Sequence, residues 1–282
     1  MLIAQITDIH LGFEPGNPDE LNRRRLDAVL ATLGAMNPQP DLMLMTGDLA
    51  DAGDDAGAYR RLTEATSRLP FPCYPLVGNH DGRAAFAAHF PAFCRDGFAQ
   101  YEIDAGPLRI LALDTLDESR HGGAWCDARA AWLAARLAEQ PERPTLIAFH
   151  HPPVDAGLSL MGENSDAAWV RRLESVMTPH ANIVAMVAGH LHRPLVTRFA
   201  GTLLAVCAAT APELALDLGT IDPEAPDQRP LIVEEPPAFA LHFWTGRTLV
   251  THFGRVADDP ILARFDHRMQ PLVRLLAEER RS

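Results

Sequence analysis

Five times along this chain a short apolar run ends in a cluster of Asp, His, Asn or Gly, and that recurrence constrains the fold more than any other feature. Residues 2–6 lead to Asp8-Ile9-His10, and residues 42–46 to Gly47-Asp48-Leu49-Ala50-Asp51. Pro75-Leu76-Val77 precedes Gly78-Asn79-His80-Asp81, residues 145–149 precede His150-His151-Pro152-Pro153, and residues 183–188 precede Gly189-His190-Leu191-His192. Short apolar runs bounded by turn formers are what buried strands look like in sequence. Between them lie longer amphipathic stretches. Residues 20–35 set Leu26, Val29, Leu30 and Leu33 at helical spacing with Arg23, Arg24 and Arg25 expected on a solvated face. Residues 55–69 predict a helix that Pro70 stops, and further helices fall near 83–92, 127–139 and 166–178. With strands also expected at 72–77 and 108–113, the alternation predicts an α/β fold whose sheets are covered by helices. Ligands in such sheets gather outside the carboxyl ends of the strands, so the five loops are expected to converge on one edge.

The later chain changes character. Short β-like runs at 203–206, 239–244 and 248–253 are interrupted by a Pro- and acid-rich stretch at 212–237. These suggest a second sheet of a sandwich plus a peripheral insertion, followed by a charged, partly helical tail over 256–282. The domain plan is therefore a catalytic unit over 1–210, a cap or dimerisation insertion over 211–238, and closing strands with a tail over 239–282.

Charge narrows the partners. Lys plus Arg number 25 against 37 for Asp plus Glu, a formal net charge of -12. A nucleic-acid polymer or an anionic membrane surface is held by clustered basic residues, so both are disfavoured. Cys73, Cys94, Cys126 and Cys207 form no CxxC pair, which fits a reducing compartment. No apolar run reaches the ~18 residues of a membrane span. The first residues lack the basic and apolar regions of a signal peptide, so a cytoplasmic location is expected.

The donor types at the strand ends carry the chemistry. Imidazole and carboxylate together suit Mn, Fe, Zn or Co, and two carboxylates with several imidazoles can hold two ions. Gly47, Gly78 and Gly189 remove side-chain bulk beside the cluster and permit sharp turns. Each motif alone has a bland explanation: Asp8 and Asn79 as turn formers, His150-His151 as an ordinary loop. Together that account needs five unrelated coincidences. His89, His121, His180, His242, His252 and His267 fit no ligand spacing, with His121 set apart by its Gly-rich loop; Met43, Met45 and Met186 are expected in the core.

The series DxH, GDxxD, GNHD, HHxP and GHxH, in that order over residues 8–192, resembles the calcineurin-like metallophosphoesterase superfamily. The resemblance implies a four-layer α/β/β/α sandwich of two mixed sheets flanked by helices, and two divalent ions bridged by Asp48. Manganese or iron are the leading identities, with zinc or cobalt as alternatives. One ion would be held by Asp8, His10 and His192 with Asp48, the other by Asn79, His150 and His190 with Asp48. A hydroxide bridging the ions would attack phosphorus in line with the leaving oxygen, while His80 faces the phosphate to steady the developing charge or protonate the leaving group. Asp51, Asp81 and His151 would orient their neighbours.

Departures from the motifs narrow the branch. Ala52-Gly53 after Asp51, and Asp81 after His80, are unlike the protein Ser/Thr phosphatases; Asp51 stands where purple acid phosphatases carry a metal-binding Tyr. The chain is most similar to bacterial class III cyclic-nucleotide phosphodiesterases and glycerophosphodiesterases. Gly123-Ala124-Trp125, Trp132-Leu133, the loop 151–161 and Gly189-His190-Leu191-His192-Arg193-Pro194 carry that likeness. It implies hydrolysis of 3′,5′-cyclic nucleotides, cyclic AMP to AMP, with glycerophosphodiesters or broad diesterase activity as the alternative, and a homodimer or higher homo-oligomer. His121, Met161 and Asn164 are the nominated substrate contacts. A non-catalytic scaffold of the same fold is the remote alternative, which retention of all seven ligand positions opposes. Two carboxylates against two divalent ions leave a positive centre, which reconciles an acidic protein with a small anionic substrate.

Overall fold

The computed structural model describes residues 1–280. Its first sheet has β1 (Leu2–Ile6), β2 (Leu42–Thr46) and β3 (Cys73–Leu76) in parallel. The second contains β4 (Tyr101–Ala105), β5 (Leu108–Ala112), β6 (Thr145–Ala148), β7 (Ile183–Ala188), β8 (Leu195–Phe199) and β9 (Thr202–Val206), in the order β4-β5-β6-β7-β9-β8. A small hairpin, β10 (Glu213–Leu214) with β11 (Ile232–Val233), stands apart from both sheets. The chain then returns as β12 (Ala238–Trp244) and β13 (Leu249–Arg255), antiparallel strands that extend the first sheet beyond β1.

Side-chain alternation explains the layers. On β2, Leu42 and Leu44 point one way and Met43 and Met45 the other. The first pair joins Ile3, Leu76, Ile110, Leu146, Val187 and Trp244 in a core between the two sheets. The second pair meets Leu26, Val29 and Leu33 of α1 (Leu21–Gly34) and Leu62 of α2 (Ala56–Thr66) on the outer face. Asp55 caps α2 by accepting from Gly57 N and Ala58 N. Beyond α3 (Arg83–His89), the second sheet is covered by α4 (Asp127–Glu139) and α5 (Ala168–Met177), whose Leu133, Leu137, Leu173 and Met177 pack on Leu111, Ile147 and Met186. The result is the four-layer α/β/β/α arrangement expected. α6 (Gln270–Glu279) has no buried residue. No helix among the described residues is long and apolar enough to cross a membrane.

The structure corrects two expectations and adds two strands that were not foreseen. The late strands do not form a sheet of their own: β8 and β9 finish the second sheet beside β7, whereas β12 and β13 finish the first. β4 and β8 carried no recognisable pattern, because their burial is mixed at the ends of a sheet. Arg25 does not lie on a solvated face. It is 6% exposed and donates to Thr210 O, Ala211 O and Glu235 O, fastening the chain around the hairpin to α1.

Candidate metal centre and active site

The ends of β1, β2, β3, β6 and β7 meet at one edge of the sandwich. Backbone bonds Asp8 N to Gly47 O and His10 N to Asp48 O join the first two loops, and Gly189 N to His150 O joins the last two. Gln5 ties the sheets together by donating to Thr46 Oγ1 on one and Ala188 O on the other. The local backbone is unusual. Asp8, His10, Asp48, His190 and His192 all have positive φ, between 49° and 74°. For residues with a side chain this costs energy and persists only where surrounding contacts enforce it, as they commonly do at functional sites. Gly47, at φ +97°, permits the turn into Asp48, and a Cβ there would stand 2.4 Å from His150 Nδ1. Gly78 and Gly189 are needed for space instead: a Cβ would stand 2.3 Å from Asp48 Oδ1 and 1.9 Å from Thr7 Oγ1 respectively.

Seven donor side chains converge. His10 Nε2 lies 3.6 Å from Asp48 Oδ2, and His192 Nε2 lies 3.5 Å from Asp8 Oδ1. His150 Nε2 is 3.3 Å from Asp48 Oδ2 and 3.2 Å from Asn79 Oδ1, and His190 Nδ1 is 2.9 Å from that same amide oxygen. The remaining ring nitrogens fix the tautomers. His150 Nδ1 donates to Thr46 O at 2.8 Å, His192 Nδ1 donates to Pro212 O at 2.8 Å, and His10 Nδ1 faces Asp51 Oδ1 at 3.3 Å. Their Nε2 atoms are therefore turned inward, where each can offer a lone pair to a cation that displaces its proton, the arrangement metal-bound imidazoles need. Two of them, on His10 and His192, face each other at 3.1 Å. Lone pairs so placed repel unless a cation or proton lies between them.

The charge balance points the same way. Burial works against a charged Asp48, yet the imidazoles of His150 and His10 hold its carboxyl well below the usual range. Burial likewise opposes a charged His150, but the Asp48 carboxylate pushes it up to about 9. Burial pushes His190 well down and His192 down, so these rings stay neutral. The cluster has the donors for two divalent cations: Asp8, His10, Asp48 and His192 form one group of close donor atoms, and Asn79, His150 and His190 complete the other side of Asp48.

The surrounding residues have definite positions. His80 Nδ1 donates to Asp51 O at 2.9 Å, its backbone N–H donates to Asp48 Oδ1, and its ring packs edge-on to His10 at 4.5 Å. Asp81 is buried and accepts from Gly78 N, Leu49 N, Ala50 N and the Tyr59 hydroxyl, joining the GNHD loop to the GDxxD loop. Burial raises its carboxyl to about 6. His151 Nδ1 pairs with Thr115 Oγ1 at 2.9 Å, while its Nε2 has no hydrogen-bond partner among the described residues. Its ring lies 4.7 Å from that of His190.

The nominated substrate contacts separate. His121 accepts from Asn79 Nδ2 at 3.1 Å, which turns the amide oxygen of Asn79 toward His150 and His190. His121 and Met161 also line a cavity of about 420 Å³ at the centre, together with Asn79, His80, Leu214 and Ile232. Asn164 lines none of it: its Oδ1 accepts from Asp166 N in the turn before α5. Its neighbour Glu163 is the structural contact instead, accepting from Gly123 N and Trp169 Nε1 and so tying the 158–163 loop to the His121 loop. Sequence reasoning also missed Arg193, which donates to Leu214 O at 2.7 Å and holds the β10–β11 hairpin beside His192. Its place in Gly-His-Leu-His-Arg-Pro was the only signal.

Fold and donor set together define a two-metal hydrolase centre. Residues 1–194 match the model of the calcineurin-like phosphoesterases, and the chain belongs to that family. It is 30% identical over 263 residues to the 3′,5′-cyclic adenosine monophosphate phosphodiesterase CpdA of Escherichia coli K12, covering 91% of this chain and 90% of that one. It is 25% identical over 293 residues to the glycerophosphodiester phosphodiesterase GpdQ of Enterobacter lignolyticus, covering 96% and 100%. Among solved structures, a dimetal phosphatase from Danio rerio superposes with a TM-score of 0.66 at 14% identity, over 92% of this chain and 98% of that one, a likeness of fold.

Proposed function

We propose that this protein hydrolyses small phosphodiesters, with 3′,5′-cyclic nucleotides as the leading substrates and glycerophosphodiesters as the second. The observation that carries the reading is the convergence of Asp8, His10, Asp48, Asn79, His150, His190 and His192, with the Nε2 atoms of His10, His150 and His192 turned inward. The named activities of CpdA and GpdQ support the diester class. When bound, two divalent cations of the manganese or iron kind supply positive charge for phosphoryl oxygens and lower the pKa of water to produce a nucleophile near neutral pH.

The chain's own residues do the rest. Asp8, His10 and His192 hold one side of the centre, Asn79, His150 and His190 the other, and Asp48 joins them. Pro212 O, Thr46 O and Asp51 keep three of the imidazoles in the binding tautomer. His121 keeps the Asn79 amide from turning over. Because Asp51 O takes the Nδ1 proton of His80, the Nε2 atom of His80 can donate to a departing ester oxygen only as imidazolium. In that form it neutralises charge as the phosphorus–oxygen bond breaks.

The test is a turnover panel on the manganese-, iron- or zinc-loaded protein with cyclic AMP, cyclic GMP, 2′,3′-cyclic AMP, glycerophosphodiesters and bis(p-nitrophenyl) phosphate. Chelation is expected to abolish turnover and added manganese to restore it. Cyclic AMP is expected to lead in kcat/KM. Glycerophosphodiesters leading would favour the second reading, and no turnover of any diester by metal-loaded protein would leave only a scaffold of this fold.

A further inference from the structure

A second cavity, of about 230 Å³, opens beside the first and shares His10, His80, His192 and Ile232 with it. The metal-binding cluster thus lies at a waist between two lobes. The larger lobe carries Asn79, His121 and Met161, whereas the smaller has an apolar wall of Phe13, Leu21, Pro212 and Ile232 beside the polar Glu14, Asn22 and Asp51. Phe13 is 65% exposed and Ile232 57%. Single exposed apolar residues are ordinary, but here they converge on one cavity next to a reactive centre.

The loop that presents Phe13 is deliberately held. Glu20 is 1% exposed and places one carboxylate oxygen 2.6 Å from Gly12 N and the other 3.0 Å from Glu14 N, bracketing Phe13 on both sides. Arg61 stands 3.6 Å from the same carboxylate, and Gly12 turns at φ +94°. A buried carboxylate is costly unless its oxygens are satisfied, and here the satisfying groups are the two amides that flank the phenyl ring. Opposite, Ile232 is fixed by the pairing of β11 with β10 and Pro212 by the bond of its carbonyl to His192. A ring inserted between Phe13 and Ile232 would meet a preorganised slot. An apolar cavity of about 150 Å³ takes up benzene, so this lobe has room for one ring.

We propose that the smaller lobe is a subsite for an apolar, ring-bearing arm of the phosphoester substrate, and that Phe13 determines specificity there, positioned by Glu20. The inference rests on the phosphodiesterase reading for the phosphate and adds the chemistry of one of its two ester arms. A small polar arm such as glycerol would leave the apolar walls of this lobe uncovered.

The test compares binding of phenylphosphonate and ethylphosphonate to manganese-loaded protein by titration calorimetry, with metal content measured on every variant. Wild type is expected to prefer the phenyl ligand about tenfold, the size of one good aromatic contact. Phe13→Ala is expected to remove most of that preference and Phe13→Trp to retain it; Glu20→Gln is expected to weaken it without touching the ligand. No phenyl preference in wild type, or a preference that survives Phe13→Ala at full metal content, overturns the proposal. Turnover of bis(p-nitrophenyl) phosphate by the same preparations judges the diesterase reading separately. Selective phenylphosphonate binding without any diester turnover would sink that reading and support the subsite.

Discussion

His242 offers a stability prediction that can be worked through from its surroundings. It lies fully buried between the two sheets, with Nε2 2.9 Å from Gln5 Oε1 and Nδ1 2.8 Å from Thr251 Oγ1. Gln5 spends its amide N–H groups on Thr46 and Ala188, so its oxygen must accept and His242 Nε2 must carry the proton. Nδ1 then accepts from the Thr251 hydroxyl, and the neutral ring is satisfied at both nitrogens. Burial, with a smaller contribution from His252, pushes the imidazole down from 6.5 to about 3. Between those values the unfolded chain binds a proton that the folded chain refuses. Stability from this group is therefore complete above the unfolded value and drains away as pH falls. At about 1.4 kcal/mol per pH unit, some 2 kcal/mol is lost at pH 5.

His242→Gln removes the titration but also a hydrogen bond and some packing, at a cost of about 1–2 kcal/mol at pH 7.5. Urea unfolding of both proteins at fixed manganese should show that penalty shrinking by about 2 kcal/mol on going to pH 5, until the variant equals or exceeds wild type. The ligands are common to both proteins, so pH effects on metal affinity cancel in the difference. A penalty that stays constant to within about 0.5 kcal/mol across the range would refute the argument that His242 is held neutral by burial.

Two further perturbations test the site and its support. His80→Ala with wild-type metal content should lower kcat by about 100-fold or more on a diester with a poor leaving group, and much less on p-nitrophenyl esters, whose leaving group needs no proton. Undiminished turnover of the poor-leaving-group ester would remove His80 from the reaction. Arg25→Met leaves the carbonyls of Thr210, Ala211 and Glu235 without their donor and should cost about 2–4 kcal/mol in urea unfolding. An unchanged unfolding midpoint would show that water replaces the guanidinium at no cost.

The strand-end donors were legible because each motif sits directly after its own strand. Asp8, Asp48, Asn79, His150 and His190 were placed by short apolar runs whose burial follows from local composition, and parallel strands bring their carboxyl ends to a common edge. The continuous apolar run of β2 likewise foretold a buried strand, though not that two different cores receive its two faces. What could not be foreseen depends on partners far along the chain. The assignment of β12 and β13 to the first sheet pairs Gln5 with Ala240, a separation with no local signature. Glu20 and Arg25 look like ordinary helix-start charges until the loop of Phe13 and the chain at 210–212 are brought to them.

Sequence by itself determined the α/β class and which Asp, His and Asn residues stand at the strand ends, since both are written in residue types and short-range spacing. Tertiary structure alone decided which way those donors point. The tautomers of His10, His150 and His192 are set by Asp51, Thr46 O and Pro212 O, the flip of Asn79 by His121, and the two-lobed shape of the site by a hairpin more than 180 residues after Asp8. Hydrogen-bond direction and cavity shape belong to pairs of atoms in space, and chain order does not specify those pairs until the core has formed.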